Sequence, residues 1–244
     1  MKISCWFTYN NLEELYFTGK TVVVIDVLRA TTTIIAAFEN GAKEIVPVNA
    51  IEFAMKATSG TFGGKTLLGG ERNAKKIEGF NLGNSPLEYS ADVVSGKSIV
   101  FFTTNGTKAI VKAKFADHLF IASFNNIAAV AKKLLELNLD FDIVCAGKNG
   151  GFSLEDAVCA GKLISEIMQK KDNVDLSDAA LASVKLNDVF GIDFYKTLTE
   201  CEHGKLLIEN GFLDDLKYAA NFNSSNLVPQ FSGGSIKILE AQSS

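Results

Sequence analysis

TVVVIDVLRATTTIIAAFENG, residues 21–41, decides the fold. It opens with a β-branched apolar run that ends at a carboxylate, the pattern of a parallel strand buried on both faces. The chain then turns polar through Asp26, Arg29, Thr31, Thr32 and Thr33, after which Ile34, Ile35 and Phe38 recur at helical spacing until Gly41 stops the helix. Strand, polar turn and helix in this order begin a βαβ unit. EIVPV (44–48) supplies the next strand, and Asn49 is placed to cap a helix in AIEFAMKA.

The same order returns in SIVFFTT (98–104), NGTKAIVKAKF (105–115), HLFIA (118–122) and the Asn125–Asn126 pair before IAAVAKKLLEL. We read these as pseudo-repeats over about residues 20–60 and 97–137, an internal duplication of a βαβα unit. A third strand-to-helix passage follows in FDIVCAG (141–147), KNGGF and SLEDAVCAGKLISEIM. The expected fold is α/β, a layered α/β/α sandwich on a largely parallel or mixed sheet, in one compact domain over residues 1–244. Residues 60–86, rich in glycine and poor in periodicity, read as a long functional loop, ended by the Ser85 cap and Pro86 of a helix through LEYSADVV. Beyond residue 172 the pattern is helical to Asn221, and VPQF and SIKILE read as two short closing strands.

With 244 residues, 47% of them hydrophobic, a sizeable core is easily built. The net charge of −4 offers no basic field to nucleic acid or anionic lipid. No apolar run approaches the roughly 18 residues of a membrane helix, and an N-terminus carrying Trp6 and several acidic residues is unlike a signal peptide. The expected setting is cytoplasmic and the expected partner a small molecule, with a homodimer left open. Cys5, Cys145, Cys159 and Cys201 form no CxxC pair and read as reduced thiols, without disulfide or zinc.

Against 22 lysines the chain has two arginines, Arg29 and Arg72, both in Gly- or Thr-rich turns. Arginine's planar fork grips carboxylate, phosphate or sulfonate through two parallel hydrogen bonds, so both are candidate anion contacts beside the plainer reading of ordinary surface charge. Three strand ends feed donor-rich turns at helix starts: DVLRATTT (26–33), TTNGTKA (103–109) and AGKNGGFSLED (146–156). Free backbone N–H groups and the positive helix end make such turns anion sites, and in a parallel sheet they share one edge.

Each candidate has a structural alternative. Asp26 ends a buried strand, where a carboxylate needs a cation or metal, or caps the helix or pairs with Arg29. Thr31, Thr32 and Thr33 offer donors to a phosphate, or cap the helix. Thr104, Asn105, Gly106 and Thr107 offer neutral donors, with charge added by Lys108, or Asn105–Gly106 makes a hairpin turn. Ser153 and Asp156 fit a capping box, which makes Asp156 structural and leaves Glu155 freer to act as ligand or base. Glu71, beside Arg72, is a metal-ligand candidate or an ion-pair partner of a lysine, and Asn84 lies in the same glycine-rich stretch. Cys201 and His203 are close in sequence without a recognisable nucleophile motif, so His203 reads as a substrate contact or a helix start.

Taken together, VVVIDVLRATTTI, GGERNAKKIEGFNLGNSPLEY, TTNGTKA and CAGKNGGFSLEDAVCAG, in this order, resemble the 2-phosphosulfolactate phosphatase family over about residues 20–234. The resemblance implies an α/β fold and magnesium-dependent removal of phosphate from 2-phospho-3-sulfolactate, a step toward coenzyme M. Asp26, Arg29 and Arg72 are then the expected catalytic residues. Thr31, Thr32, Thr33, Asn84, Thr104, Asn105, Gly106, Thr107 and Ser153 are the expected substrate contacts, and Asp26, Glu71 and Glu155 the expected ligands of Mg2+. A phosphoacid isomerase or lyase, and a phosphometabolite-binding module without turnover, are the competing readings of the same residues.

Overall fold

The computed structural model describes residues 1–58 and 66–238. In chain order the strands are β1 (Lys2–Trp6), β2 (Thr21–Ile25), β3 (Glu44–Val48), β4 (Thr66–Arg72), β5 (Lys75–Lys76), β6 (Ser98–Phe102), β7 (His118–Ala122), β8 (Phe141–Cys145), β9 (Asp175–Leu176), β10 (Pro229–Ser232) and β11 (Ser235–Ile238). The helices are α1 (Ala30–Glu39), α2 (Ile51–Thr58), α3 (Ala91–Val94), α4 (Gly106–Lys112), α5 (Ile127–Leu137), α6 (Leu154–Met168), α7 (Asp178–Phe190), α8 (Phe194–Glu200), α9 (Glu202–Glu209) and α10 (Leu213–Ala219).

The strands form one mostly parallel sheet in the order β5-β4-β6-β3-β11-β10-β7-β2-β8-β1-β9. β4, β6 and β3 make one parallel block, and β7, β2, β8, β1 and β9 another. The antiparallel β10–β11 hairpin joins them. Each expected βαβ unit therefore splits its strands, β2 pairing with β7 and β6 with β3. The order is symmetric about the hairpin, with β2 matching β6 and β7 matching β3. Symmetry of strand order is a property of the fold and leaves the expected duplication of sequence unconfirmed.

Period-two alternation sorts the strand side chains into layers. Val23 and Ile25 of β2 pack in the cluster that holds Val158 and Leu163 of α6 and Val130 of α5. Val22 and Val24 face the opposite way, onto Ile34 and Phe38 of α1 and Ile110 of α4. Ile99 and Phe101 of β6 join that second cluster, so α1 and α4 are covered by strands from both blocks. Val100 and Phe102 turn to a third cluster with Ala54 of α2. Because its sequence is apolar nearly all round, α1 is buried from Ala30 to Phe38. In a flat sheet, three antiparallel steps would set the carboxyl ends of the two blocks on opposite edges; here the ends of β2, β4 and β6 meet, Asp26 abutting Gly106 and Glu71 bonded to Thr104 N–H.

The glycine-rich stretch expected to be a long loop is in part a strand: β4 pairs with β6 along its length, and residues 59–65 lie outside the described residues. Glycine suits this strand because a Cβ on Gly69 would strike the Tyr89 hydroxyl, and one on Gly70 the Phe102 carbonyl oxygen. The helix expected from Ser85 is a single 3-10 turn, Pro86–Glu88, with Ser85 Oγ accepting from Leu87 N–H at 3.3 Å, followed by the short α3. β1 had no signal in the polar, aromatic N-terminus, and pairing to β8 makes it a strand. Among the described residues, no helix is long and apolar enough to cross a membrane.

Candidate active site

The turn after β2 is fastened from within. Thr31 Oγ1 accepts the Asp26 N–H at 3.0 Å and donates to the Asp26 carbonyl at 2.8 Å. Thr32 Oγ1 donates to Val27 O at 2.8 Å and lies 2.6 Å from Ser123 Oγ, and Thr33 Oγ1 donates to Asn84 O at 2.8 Å. All three hydroxyls are thus spent on holding backbone, the structural alternative to the expected phosphate contacts. Asp26 Oδ1 accepts from Ala30 N–H at 3.2 Å, and its other oxygen abuts Gly106, where any Cβ would collide with Asp26 Oδ2 and the Ala30 methyl.

The turn after β6 repeats the device. Thr107 Oγ1 accepts the Thr103 N–H at 2.9 Å and donates to the Thr103 carbonyl at 3.1 Å. Asn105 and Gly106 start α4 rather than a hairpin. Glu71, at the end of β4, accepts Thr104 N–H on Oε1 at 2.7 Å and Ala74 N–H on Oε2 at 2.8 Å, so backbone amides, not a lysine, hold it.

Asp26, Leu28, Arg29, Glu71, Ala74, Asn84, Asn105 and His203 line one narrow cleft. Arg29 is nearly fully buried, its guanidinium 2.6 Å from Asp215 Oδ2, donating to Ala74 O at 3.1 Å and stacked 4.1 Å over the Phe212 ring. Ser85 Oγ donates to the other Asp215 oxygen at 2.6 Å. Arg72 follows Glu71 on the strand, so it points to the other face; it is exposed and does not line the cleft.

The third turn departs from its expected capping box. The Ser153 side chain makes no cap bond. Asp156 instead accepts Val27 N–H at 2.9 Å and Gly147 N–H at 3.1 Å, clamping the turns after β2 and β8 together. Glu155 is buried and lies 3.5 Å from His203 Nδ1. Cys201 is no nucleophile: it is buried, its Sγ accepts Gly204 N–H at 3.3 Å at the start of α9, and burial pushes the thiol up.

Burial raises the Asp26 carboxyl to about 6, against the lowering by His203 and the Ala30 amide; neighbouring Glu71 and Glu155 add to the rise. For Glu155 burial is again the largest influence and acts upward, but His203, a backbone N–H and the Ser153 hydroxyl together hold the carboxyl below its ordinary value. Burial and the charges of Asp26 and Glu155 push Asp156 well up. Asn84 Oδ1 lines the cleft and is buried without a hydrogen-bond partner, and Thr104 Oγ1, beside Asn105, is likewise unpaired. Buried polar atoms are rarely left unpaired, so Asn84 Oδ1 is a candidate ligand contact.

The family model of 2-phosphosulpholactate phosphatase matches residues 6–234, nearly the whole chain. The chain belongs to that family. Among its relatives, a protein of Clostridium novyi is 41% identical over 231 residues, covering 95% of this chain and 97% of the relative. One of Clostridium acetobutylicum is 41% identical over 240 residues, covering 97% and 100%. One of Symbiobacterium thermophilum is 41% identical over 228 residues, covering 93% and 97%. Each carries the name "Probable 2-phosphosulfolactate phosphatase". Family membership bears out the resemblance seen in the four sequence blocks and makes the chain an enzyme of the phosphoric monoester hydrolase class.

Sequence reasoning did not reach Asp215, which neutralises Arg29, nor the clamping role of Asp156. Asp215 lies on an ordinary amphipathic helix, with no local feature to separate it from neighbouring Asp214. Of the neighbouring Cys201 and His203, the ring lines the cleft and the thiol caps α9.

Proposed function

We propose that the enzyme removes the phosphate of 2-phospho-3-sulfolactate in a magnesium-dependent reaction, yielding 3-sulfolactate of the kind that feeds coenzyme M formation. The observation that carries the metal is the charge of the cleft. Its lining includes two carboxylates, Asp26 and Glu71, while the guanidinium of Arg29 is matched by Asp215. A substrate bearing phosphate, carboxylate and sulfonate would be repelled from such a lining unless a cation entered with it.

The donor set fits magnesium, a hard cation that takes one or two carboxylates and neutral oxygens and keeps some of its water. Asp26 and Glu71 would hold it, with the orphan Asn84 Oδ1 as a neutral oxygen in the same cleft. Glu155, an expected ligand, is paired with His203 and does not line the cleft, and no group of three metal-binding side chains forms among the described residues. Bound there, the ion would supply positive charge to the phosphoryl oxygens as the transition state forms. Asn105 in the cleft, and the unpaired hydroxyl of Thr104 next to it in the chain, are available to the carboxylate or sulfonate. Arg29 orients the cleft through its pair with Asp215, and the Ser85–Asp215–Arg29 chain fixes where its charge sits.

The test is phosphate release from phosphosulfolactate, phospholactate and phosphoglycolate, with magnesium and with a chelator. Release from phosphosulfolactate should exceed the other two and vanish with the chelator. Release unaffected by the chelator would overturn the metal, and turnover without free phosphate would select an isomerase or lyase.

A further inference from the structure

His203 reaches the cleft from α9, outside all three strand-end turns. Its side chain is 19% exposed, and Nδ1 faces Glu155 Oε1 at 3.5 Å. With that nitrogen turned to a buried carboxylate, Nε2 is the ring atom left for a ligand, the arrangement in which a third group orients a proton-transferring histidine. A secondary alcohol leaves phosphorus as a strongly basic alkoxide and needs a proton as the bond breaks.

The other cleft residues are committed elsewhere or carry no acidic proton. Arg29 is pinned to Asp215 and a guanidinium keeps its protons. The Glu71 oxygens accept backbone N–H bonds, and Asp26 and Glu71 are the carboxylates that would hold the metal. Leu28, Ala74, Asn84 and Asn105 have no acidic proton.

We propose that His203 is the general acid of the reaction and that Glu155 is the positioning residue that orients its ring. This rests on the phosphatase reading above. The oxygen of a water bonds to phosphorus, and the bond from phosphorus to the ester oxygen breaks with its electron pair staying on that oxygen. The ester oxygen takes the Nε2 proton of the imidazolium and leaves as a hydroxyl. The protons of the water go with phosphate or to solvent, from which the neutral ring regains its own. The charged groups around the ring are Glu155 on α6, Asp26 after β2, Glu71 on β4 and, on its own helix, Glu202, which Lys148 pairs at 2.7 Å.

The experiment compares wild type with His203→Asn and Glu155→Gln by kcat and KM against pH. In His203→Asn, kcat on phosphosulfolactate should fall roughly 10²–10⁴-fold with KM little changed, and the alkaline limb of the profile should disappear. Glu155→Gln should lower kcat by a smaller factor with KM little changed, because the ring loses the carboxylate that orients it. A His203→Asn enzyme that keeps wild-type kcat, or loses rate while keeping the alkaline limb, overturns the general acid. A Glu155→Gln enzyme that keeps wild-type kcat, or changes KM instead, overturns the positioning role. A wild-type protein that releases no phosphate from any of the three substrates overturns the phosphatase reading instead, and the proposal with it.

Discussion

At the end of β2, Thr31 Oγ1 reaches back to both backbone groups of Asp26; at the end of β6, Thr107 Oγ1 does the same to Thr103. The two loops differ in length by one residue, since the hydroxyl lies five positions after Asp26 but four after Thr103. They differ more in chemistry. The first presents a buried carboxylate and an arginine, while the second presents Thr104, Asn105 and a glycine small enough to let Asp26 sit against it. A shared hydroxyl clasp thus builds the turn, and the residues at its start and within its span decide what the turn does. One turn supplies charge; the other supplies neutral donors and room.

The sharpest challenge to this division is Asp26→Asn, which keeps shape and removes charge. Magnesium-dependent phosphate release should fall about a thousandfold or more, as when a central electrostatic contributor is lost. Stability should move the other way. In metal-free protein the Asp26 carboxyl is raised from 3.8 to about 6, so the fold binds its proton more tightly than the unfolded chain. That contribution is complete below pH 3.8 and is lost as pH rises through about 6. The loss is about 3 kcal/mol by pH 7. Urea unfolding in EDTA should therefore find Asp26→Asn more stable than wild type at pH 7 and no better at pH 4. A less stable variant at pH 7 would break the assignment of Asp26 as a charge held for function.

Asp215→Asn tests the arginine that only the first turn carries. It strips the partner from a guanidinium that is 2% exposed, and breaking such a buried pair costs about 3–5 kcal/mol. A change in midpoint below about 1 kcal/mol would mean that Arg29 turns outward to water, as an unpaired arginine on the surface does. The smallest effects come from Thr31→Val and Thr107→Val. Each leaves a buried N–H unpaired and should cost about 1–3 kcal/mol. The two losses should be similar, but only Thr31→Val should also lower kcat, since only that clasp holds a charged residue in place. Equal effects on kcat would put the two turns on the same functional footing.

Much of this was legible in the chain. The strands and helices around Asp26, Gly106 and Glu155 follow from apolar runs ending in polar turns, a pattern fixed by burial on both faces. β4 was hidden because Gly69 and Gly70 erase β-propensity while serving close packing against Tyr89 and Phe102. Arg72 looked like the twin of Arg29 because both sit in glycine- or threonine-rich segments, yet strand alternation sends it to the face opposite Glu71. The threonines were correctly seen as ambiguous, and geometry resolves them toward backbone.

By itself the sequence determined the α/β class, the three donor-rich turns and the family, because these rest on local periodicity and on ordered motifs that need no partner to be read. It could not determine that the ends of the two parallel blocks meet in one cleft, that Asp215 claims Arg29 across 186 positions, or that Glu155 turns to His203. Those outcomes depend on which distant groups are buried together, and a buried charge is settled only by the partner that tertiary folding brings to it.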